Sequence, residues 1–450
     1  MKKILAITMG LVLICSLEVL GFGGGFGDDF GSSTSELEVE GSLEFDTRII
    51  LDDSSDYPLN SFPTLDLDLS YEKANSDFQA ALNFDSEGNA NIEEGFIRLF
   101  YDDFDISAGR QKIVWGKGDK LHVVDNFNAQ DLTDFINPDY LDRKIGQEMV
   151  RLNYYLGSGN LELVYSPQFS PNKLATQGEW SSPQLAELRT NFIEQFGEVA
   201  ALRLQEELKG ASRGLKYGQA GLRYTNSKSG YDYGFSFYQG RLKNPSMNRE
   251  AINSLNNDDC DDYDKDDYDE FLADLNLDYD RVSVFGAEFS SVIAGINARG
   301  ELAYYLTEDT DGDNPSIHNN RVAWLIGGDK DLDWSNLNLN VQLKSELILN
   351  DDEIKDNPFH IDYNEDGDYF TNMLVFKLSD SFKNERVLPE MSLVYNIEAQ
   401  DYMLDNEIEF LLKDDTSFIV NYKIFSGDEH TTFGQFSDND YLAARLKYSF

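Results

Sequence analysis

The last ten residues, Tyr441 to Phe450, alternate with a period of two. Leu442, Ala444, Leu446, Tyr448 and Phe450 are apolar, and the intervening Ala443, Arg445, Lys447 and Ser449 are small or polar. Successive side chains of a strand point to opposite faces, so this segment has one greasy face and one wet face. Its length suits a tilted strand that crosses a bilayer in about 9–11 residues. An edge strand of a soluble sandwich would look the same, so the reading depends on recurrence.

The pattern recurs. Alternating stretches of similar length lie near 37–50, 64–72, 77–84, 92–101, 104–113, 148–156, 160–166, 215–225 and 231–239, then near 281–290, 294–305, 321–328, 335–349, 368–378, 390–398, 402–412, 416–425 and 441–450. In the cleanest, 335–349, Leu337, Leu339, Val341, Leu343, Leu347 and Leu349 share one face, opposite Asn336, Asn338, Asn340, Gln342, Lys344 and Glu346. Connections after even-numbered stretches are mostly short and those after odd-numbered ones mostly long. A soluble sandwich has no reason to segregate loop lengths, whereas transmembrane barrels have short periplasmic turns and long outer loops. The expected fold is therefore all-β: a transmembrane antiparallel up-and-down barrel of about 18 strands, or 16 if weak stretches merge, with both ends periplasmic.

Composition agrees. Aromatics make up 13% of the chain, enough for girdles at two membrane interfaces. Beyond the amino terminus no apolar run reaches the roughly 18 residues of a membrane helix. A formal charge of −45 argues against nucleic acid as a partner. Cys15 and Cys260 cannot form a disulfide framework. Lys2 and Lys3 precede an apolar run from Ile4 to Cys15, which reads as a secretory signal over about 1–23 with cleavage between Gly21 and Gly27. Residues 24–450 then form one barrel domain in the outer membrane of a Gram-negative-type envelope.

Three long connections differ in character. Segment 167–214 contains an expected helix near 183–209, capped by Ser182, opened by Pro183 and ended by Gly210. Segment 240–280 carries the acidic run Asp258 to Asp267, a block that is ordinarily solvated. In 350–368, Asp362, Asn364, Asp366 and Asp368 alternate around Gly367, as at the start of an EF-hand-like calcium loop. Position twelve is Met373 rather than Glu, so the choice between a calcium site and a solvated turn stays open. No other cofactor is expected.

The fifth strand ends in Gly109-Arg110-Gln111-Lys112-Ile113-Val114-Trp115-Gly116, followed by Asn128, Gln130 and Asp131. These positions resemble a family of porin-like outer-membrane proteins defined only as a domain of unknown function, whose members carry a strand-ending G-R-Q-x-x-x-W-G. The resemblance implies a barrel and its location, and little about the solute. Phe450 likewise resembles the aromatic end of outer-membrane barrels that is read by the barrel-insertion machinery. Independently, 114–147 is long and rich in apolar residues, and Gly116 and Gly118 permit a sharp departure from the strand. It is expected to fold inward and narrow the lumen rather than fold outward as a lid.

Alternation also sorts the charges. On the wet face it places Arg98, Arg151, Arg223, Arg299, Arg321, Lys344, Lys377, Lys423, Arg445 and Lys447 against seven acids (Glu94, Glu301, Glu346, Glu398, Asp405, Glu407 and Glu409), so the wall is expected not to be acidic. Lys117, Lys120 and Arg143 are expected to join Arg98 and Arg151 in a cationic waist. The leading function is passive diffusion of small hydrophilic solutes. The alternatives are a structural or adhesive barrel with cation-binding loops, and less favourably a barrel enzyme. His122, His318, His360 and His430 fall in no catalytic motif, so an enzyme is not expected. Partners would be membrane lipid, the insertion machinery and the solute.

Overall fold

A computed structural model describes residues 37–51, 59–134, 140–176, 178–183, 190, 193, 212–213, 215–247, 277–358 and 360–450. Eighteen strands make up the wall. The first nine are β1 (Leu37–Ile50), β2 (Leu59–Lys73), β3 (Ser76–Phe84), β4 (Ala90–Phe100), β5 (Phe104–Gln111), β6 (Gln147–Leu156), β7 (Gly159–Ser166), β8 (Gln219–Lys228) and β9 (Tyr231–Arg241). The rest are β10 (Arg281–Ile293), β11 (Ile296–Thr307), β12 (Arg321–Asp331), β13 (Asn338–Ile348), β14 (Phe370–Ser379), β15 (Val387–Asn396), β16 (Asp401–Lys413), β17 (Thr416–Ser426) and β18 (Tyr441–Ser449). Each pairs antiparallel with its sequence neighbours, and β18 pairs with β1, so the sheet closes on itself. Closure removes the edges that an open sheet would expose.

The seam shows how sequence dictates this. Leu43 lies opposite Tyr448, Phe45 opposite Leu446 and Ile49 opposite Leu442, so the apolar faces of both strands coincide. Leu442 and Leu446 are 42% and 44% exposed on the outer face, while Tyr441 and Ala443 are each 4% exposed inside. Gly41 and Phe450 exchange backbone hydrogen bonds of 2.9 and 3.0 Å. The Phe450 ring covers Gly41, where a Cβ would sit 2.8 Å from its Cζ, so this ring needs a glycine beneath it.

Connections at one end are mostly short turns, such as 157–158 and 229–230, and those at the other end are mostly long, with 85–89 and 397–400 as short exceptions. Several boundaries move from those expected: the second strand begins at Leu59 rather than 64, the tenth runs on to Ile293 and the fifteenth begins at Val387. Residues 215–217 form a 3₁₀ turn, so the eighth strand begins at Gln219, and the turn 332–337 takes the first residues assigned to the thirteenth. The expected helix near 183–209 lies outside the described residues except for Pro183, Thr190 and Ile193, each helical. The leader and the acidic run 258–267 also lie outside them.

Candidate pore constriction

Between β5 and β6, residues 112–134 and 140–146 lie along the inner face of the wall. Asn128 joins the two roots of this loop: Oδ1 accepts from the Ile113 N–H at 2.9 Å, and Nδ2 donates to the carbonyls of Gln111 (3.0 Å) and Ile145 (2.9 Å). Trp115 and Phe127 meet edge to face at 5.1 Å, and Phe127 does the same with Tyr238 at 5.0 Å. Gly221 on β8 makes room for both rings, since a Cβ there would fall 2.6 Å from each. Val124 sits over Gly286 in the same way. Ile113, Trp115, Val123, Val124 and Phe127 thus share a buried cluster with wall residues Val164, Tyr238, Val282, Val284, Ala303, Ala323 and Leu325.

The loop tip is fixed by polar contacts. Glu301 of β11 turns a fully buried carboxylate into it. Oε1 accepts from the N–H groups of Lys117 and Gly118, both at 2.7 Å, and lies 2.9 Å from His122 Nδ1. Oε2 accepts from the Val123 N–H at 2.7 Å. A buried charge is tolerated only when its lone pairs are satisfied in this way. Gly116, at φ +113°, faces the same carboxylate and has no room for a side chain. Asp119 is tied to β13 through Gln342 (3.0 and 2.8 Å) and Asn340 (2.7 Å).

Beyond the tip the segment crosses to the other side of the barrel. Arg48 of β1 grips Asp134 through two 2.8 Å hydrogen bonds and is also bonded to Asp46 at 2.9 Å. Lys173 pairs with Asp131 at 2.9 Å. Burial would raise the Asp131 carboxyl, but hydrogen bonds from Lys173 and Thr133 outweigh it and hold the group below its ordinary value. On the connection after β7, Trp180 sits among Phe425, Phe436 and Tyr441 at 5.6–6.1 Å. At the loop roots, Lys144 is buried against Asp125, which also accepts from Tyr140 at 2.9 Å. Burial lowers the Lys144 ammonium against the pull of Asp125.

The motif singled out in the sequence is the internal scaffold of this loop. Gly109, at φ +140°, lets β5 lie against Phe96 of β4, where a Cβ would come within 2.7 Å of backbone. Arg110 faces Glu148 at 3.9 Å. Gln111 accepts from Ser107 (2.7 Å) and donates to the Met149 carbonyl (3.2 Å). The Gln130 N–H donates to Asn172 at 2.9 Å. Trp115, Gly116, Asn128 and Asp131 act as described above.

The expected cationic waist is only partly assembled. Arg98 and Arg151 flank Ser107 in one lateral row, but Arg98 faces Asp77 at 4.0 Å and Arg151 binds Glu162 at 2.8 Å. Lys117 lines two polar cavities of about 310 and 320 Å³ near the turn end, the first shared with Tyr155 two turns of the pleat below Arg151. Lys120 is exposed, in a left-handed conformation at φ 63°. Arg143 lies at the other end of the loop, over the Tyr140 ring at 6.0 Å.

The balance of wall charge also differs from the expected ten against seven. Register places Glu38, Glu40, Glu44, Asp46, Asp66 and Asp68 on the inner face of β1 and β2. The alternation count passed over these acids, and over Asp77, Glu162, Glu288 and Glu390, which bind the very cations it counted. Arg223 bonds Glu288 at 2.6 Å, Lys377 pairs with Glu390 at 2.7 Å, Lys423 with Asp405 at 2.9 Å and Arg445 with Glu44 at 3.2 Å. The wall is therefore acidic. Of the residues weighed for calcium, Asp362 accepts from the Asn319 N–H at 2.7 Å, and Asn364 accepts from the Asp366 N–H at 2.9 Å within its own turn. Among the described residues no three acidic, histidine or cysteine side chains form a metal-sized group.

Several solved structures are similar to this chain. OccK9 (OpdG) of Pseudomonas aeruginosa is 7% identical with a TM-score of 0.49, over 93% of this chain and 98% of that one. A BenF-like porin from Pseudomonas fluorescens Pf-5 is 7% identical with a TM-score of 0.48, covering 92% and 98%. The outer-membrane channel DcaP of Acinetobacter baumannii is 11% identical with a TM-score of 0.42, covering 94% and 99%. No curated protein matches the chain. One family model, described as "Protein of unknown function (DUF1302)", matches residues 79–321, a span that holds the loop scaffold and much of the wall it packs against. That span exceeds half of the chain, which therefore belongs to the DUF1302 family.

Proposed function

We propose that this protein is an outer-membrane channel for passive diffusion of small hydrophilic solutes, with 112–146 as its constriction and Phe450 as the signal read by the barrel-insertion machinery. The observation that carries the reading is the division of the inner wall. The loop covers an apolar stretch of β7–β12 and is pinned there by Glu301, whereas β1 and β2 keep a row of carboxylates on their inner face. A barrel of this strand number is wide enough to keep an aqueous lumen beside an inward loop. Carboxylates need water when no partner faces them.

Planar-bilayer recording of the purified, heat-modifiable barrel tests this. Stepwise conductance that scales with bulk salt is expected, and replacing 114–144 with a short Gly-Ser linker is expected to raise it. Intact barrel without conductance would overturn the channel reading; conductance unchanged by loop replacement would reduce 112–146 to a structural lining.

A further inference from the structure

We infer that the turn-end side of the constriction holds a subsite for a small zwitterionic solute, one bearing a carboxylate and an ammonium a few bonds apart. The inference rests on the channel reading and adds a solute class to it. Lys117 and Asp232 border both cavities there. Each cavity has room for a solute of a few heavy atoms with its water. The two residues bear opposite charges and face the same space, yet they form no ion pair with each other or with any described residue. Nearly every other charge on this side of the wall is matched: Arg299 with Asp329, Arg151 with Glu162 and Arg223 with Glu288.

The position of Lys117 is built rather than incidental. Its N–H and that of Gly118 are held by Glu301, and the glycines on either side leave no side chain to crowd it. The ammonium is therefore presented from a fixed backbone while the stem stays free to reach either cavity. Asp232, on the inner face of β9, accepts a side-chain hydrogen bond only from Ser227 among the described residues. Neutral donors and acceptors fill the remaining wall, with Asn160 and Thr225 in one cavity and Ser290 and Asn297 in the other. A lone anion would meet the field of Asp232 and a lone cation that of Lys117. A zwitterion satisfies both, its carboxylate on Lys117 and its ammonium on Asp232, with no net charge to screen.

Blockade of ion current tests the assignment, because a bound zwitterion hinders salt without carrying current. L-Serine is compared with lactate, which lacks the ammonium, and with ethanolamine, which lacks the carboxylate, on single channels in KCl at pH 7. Serine should reduce the current at a lower concentration than either analogue. K117M and D232N should each raise its half-blocking concentration about tenfold, the loss of one charge-assisted hydrogen bond. K117R should retain the block. Heat-modifiable mobility of each variant verifies the fold, and open conductance without serine tests the channel itself. Equal block by lactate with no effect of D232N would show a plain anion site. Equal block by ethanolamine with no effect of K117M would show a plain cation site. Open channels that serine leaves unblocked would show no subsite. Each of these three results overturns the proposal while leaving the channel standing.

Discussion

The two sides of the inner wall obey the same alternation and yet have opposite chemistry. On β1 and β2 the inward positions include Glu38, Glu40, Glu44, Asp46, Asp66 and Asp68. On β7 to β12 they include Val164, Tyr238, Val282, Val284, Ala303 and Leu325, which face 112–146. The first side is wet, the second dry. A strand in a water-filled barrel is apolar on one face only, so a strand apolar on both faces needs a second cover. Here the cover is the chain's own loop. The difference teaches that lumen geometry can be read from the inward positions alone, once the outward ones are known.

The largest change should come from removing the cover. Replacing 114–144 with a short linker is expected to raise single-channel conductance severalfold and to expose the apolar side of the wall. The variant barrel should then bind a hydrophobic dye that the native one does not. Failure to bind it would mean that β7 to β12 are not dry because of the loop.

Next in size is the anchor. E301A leaves the N–H groups of Lys117, Gly118 and Val123 without their acceptor, at a cost of about 3–5 kcal/mol to the docked loop. E301Q keeps one acceptor oxygen and is expected to cost less. Current noise and protease cutting within 112–130 should rise in the order native, E301Q, E301A. Equal noise in all three would place the anchor elsewhere, in Trp115 and Phe127.

The wet side should set the sign of selectivity. With Arg98, Arg151 and Arg223 paired, unmatched carboxylates on β1 and β2 favour cations, most strongly at low salt, where the Debye length is longest. Changing Glu40, Asp66 and Asp68 to their amides should cut the potassium-to-chloride permeability ratio about two- to threefold. Anion preference in the native channel would restore the cationic waist that the sequence suggested.

The smallest effect concerns Asp131. Its carboxyl is held below the ordinary value by Lys173 and Thr133 despite burial. Its contribution is therefore complete above about pH 4 and is lost as pH falls through the lowered value. Conductance should be insensitive to this group between pH 5 and 8, and a K173M variant should differ from native only slightly there, since Lys173 is largely exposed.

Much of this was legible in the sequence. All eighteen strands were, because lipid on one side and water on the other impose a period that no loop imitates. The loop scaffold was visible as a motif, and Gly116 and Gly118 as its turning points. Three things were hidden. The acids of β1 and β2 were hidden because their place in the lumen is fixed by pairing with β18 and with each other, which alternation within one strand does not show. Ion pairing was lost because Arg151 and Glu162, or Arg223 and Glu288, come from different strands, and pairing depends on register. The Glu301 anchor looked like any other inward acid. A signal did exist for the covered side: Val282 and Val284 with Phe285, or Tyr304 with Tyr305, break the alternation by making both faces apolar.

The seam between β1 and β18 has a consequence for how the barrel comes into being. Ser42 faces Ser449, so the last ladder to form joins residues almost a whole chain apart. Contacts of such sequence separation are slow, because ring closure must lose its entropy before any of them is rewarded. Segment 112–146 meanwhile reaches walls on both sides, β8 to β13 and then β1 through Arg48. A sheet still open at the seam lets that segment settle from the side; a closed cylinder would require threading it from the mouth. Interior lining is therefore expected to precede ring closure, and F450A, which removes the ring over Gly41, is expected to slow the seam more than it disturbs the docked loop.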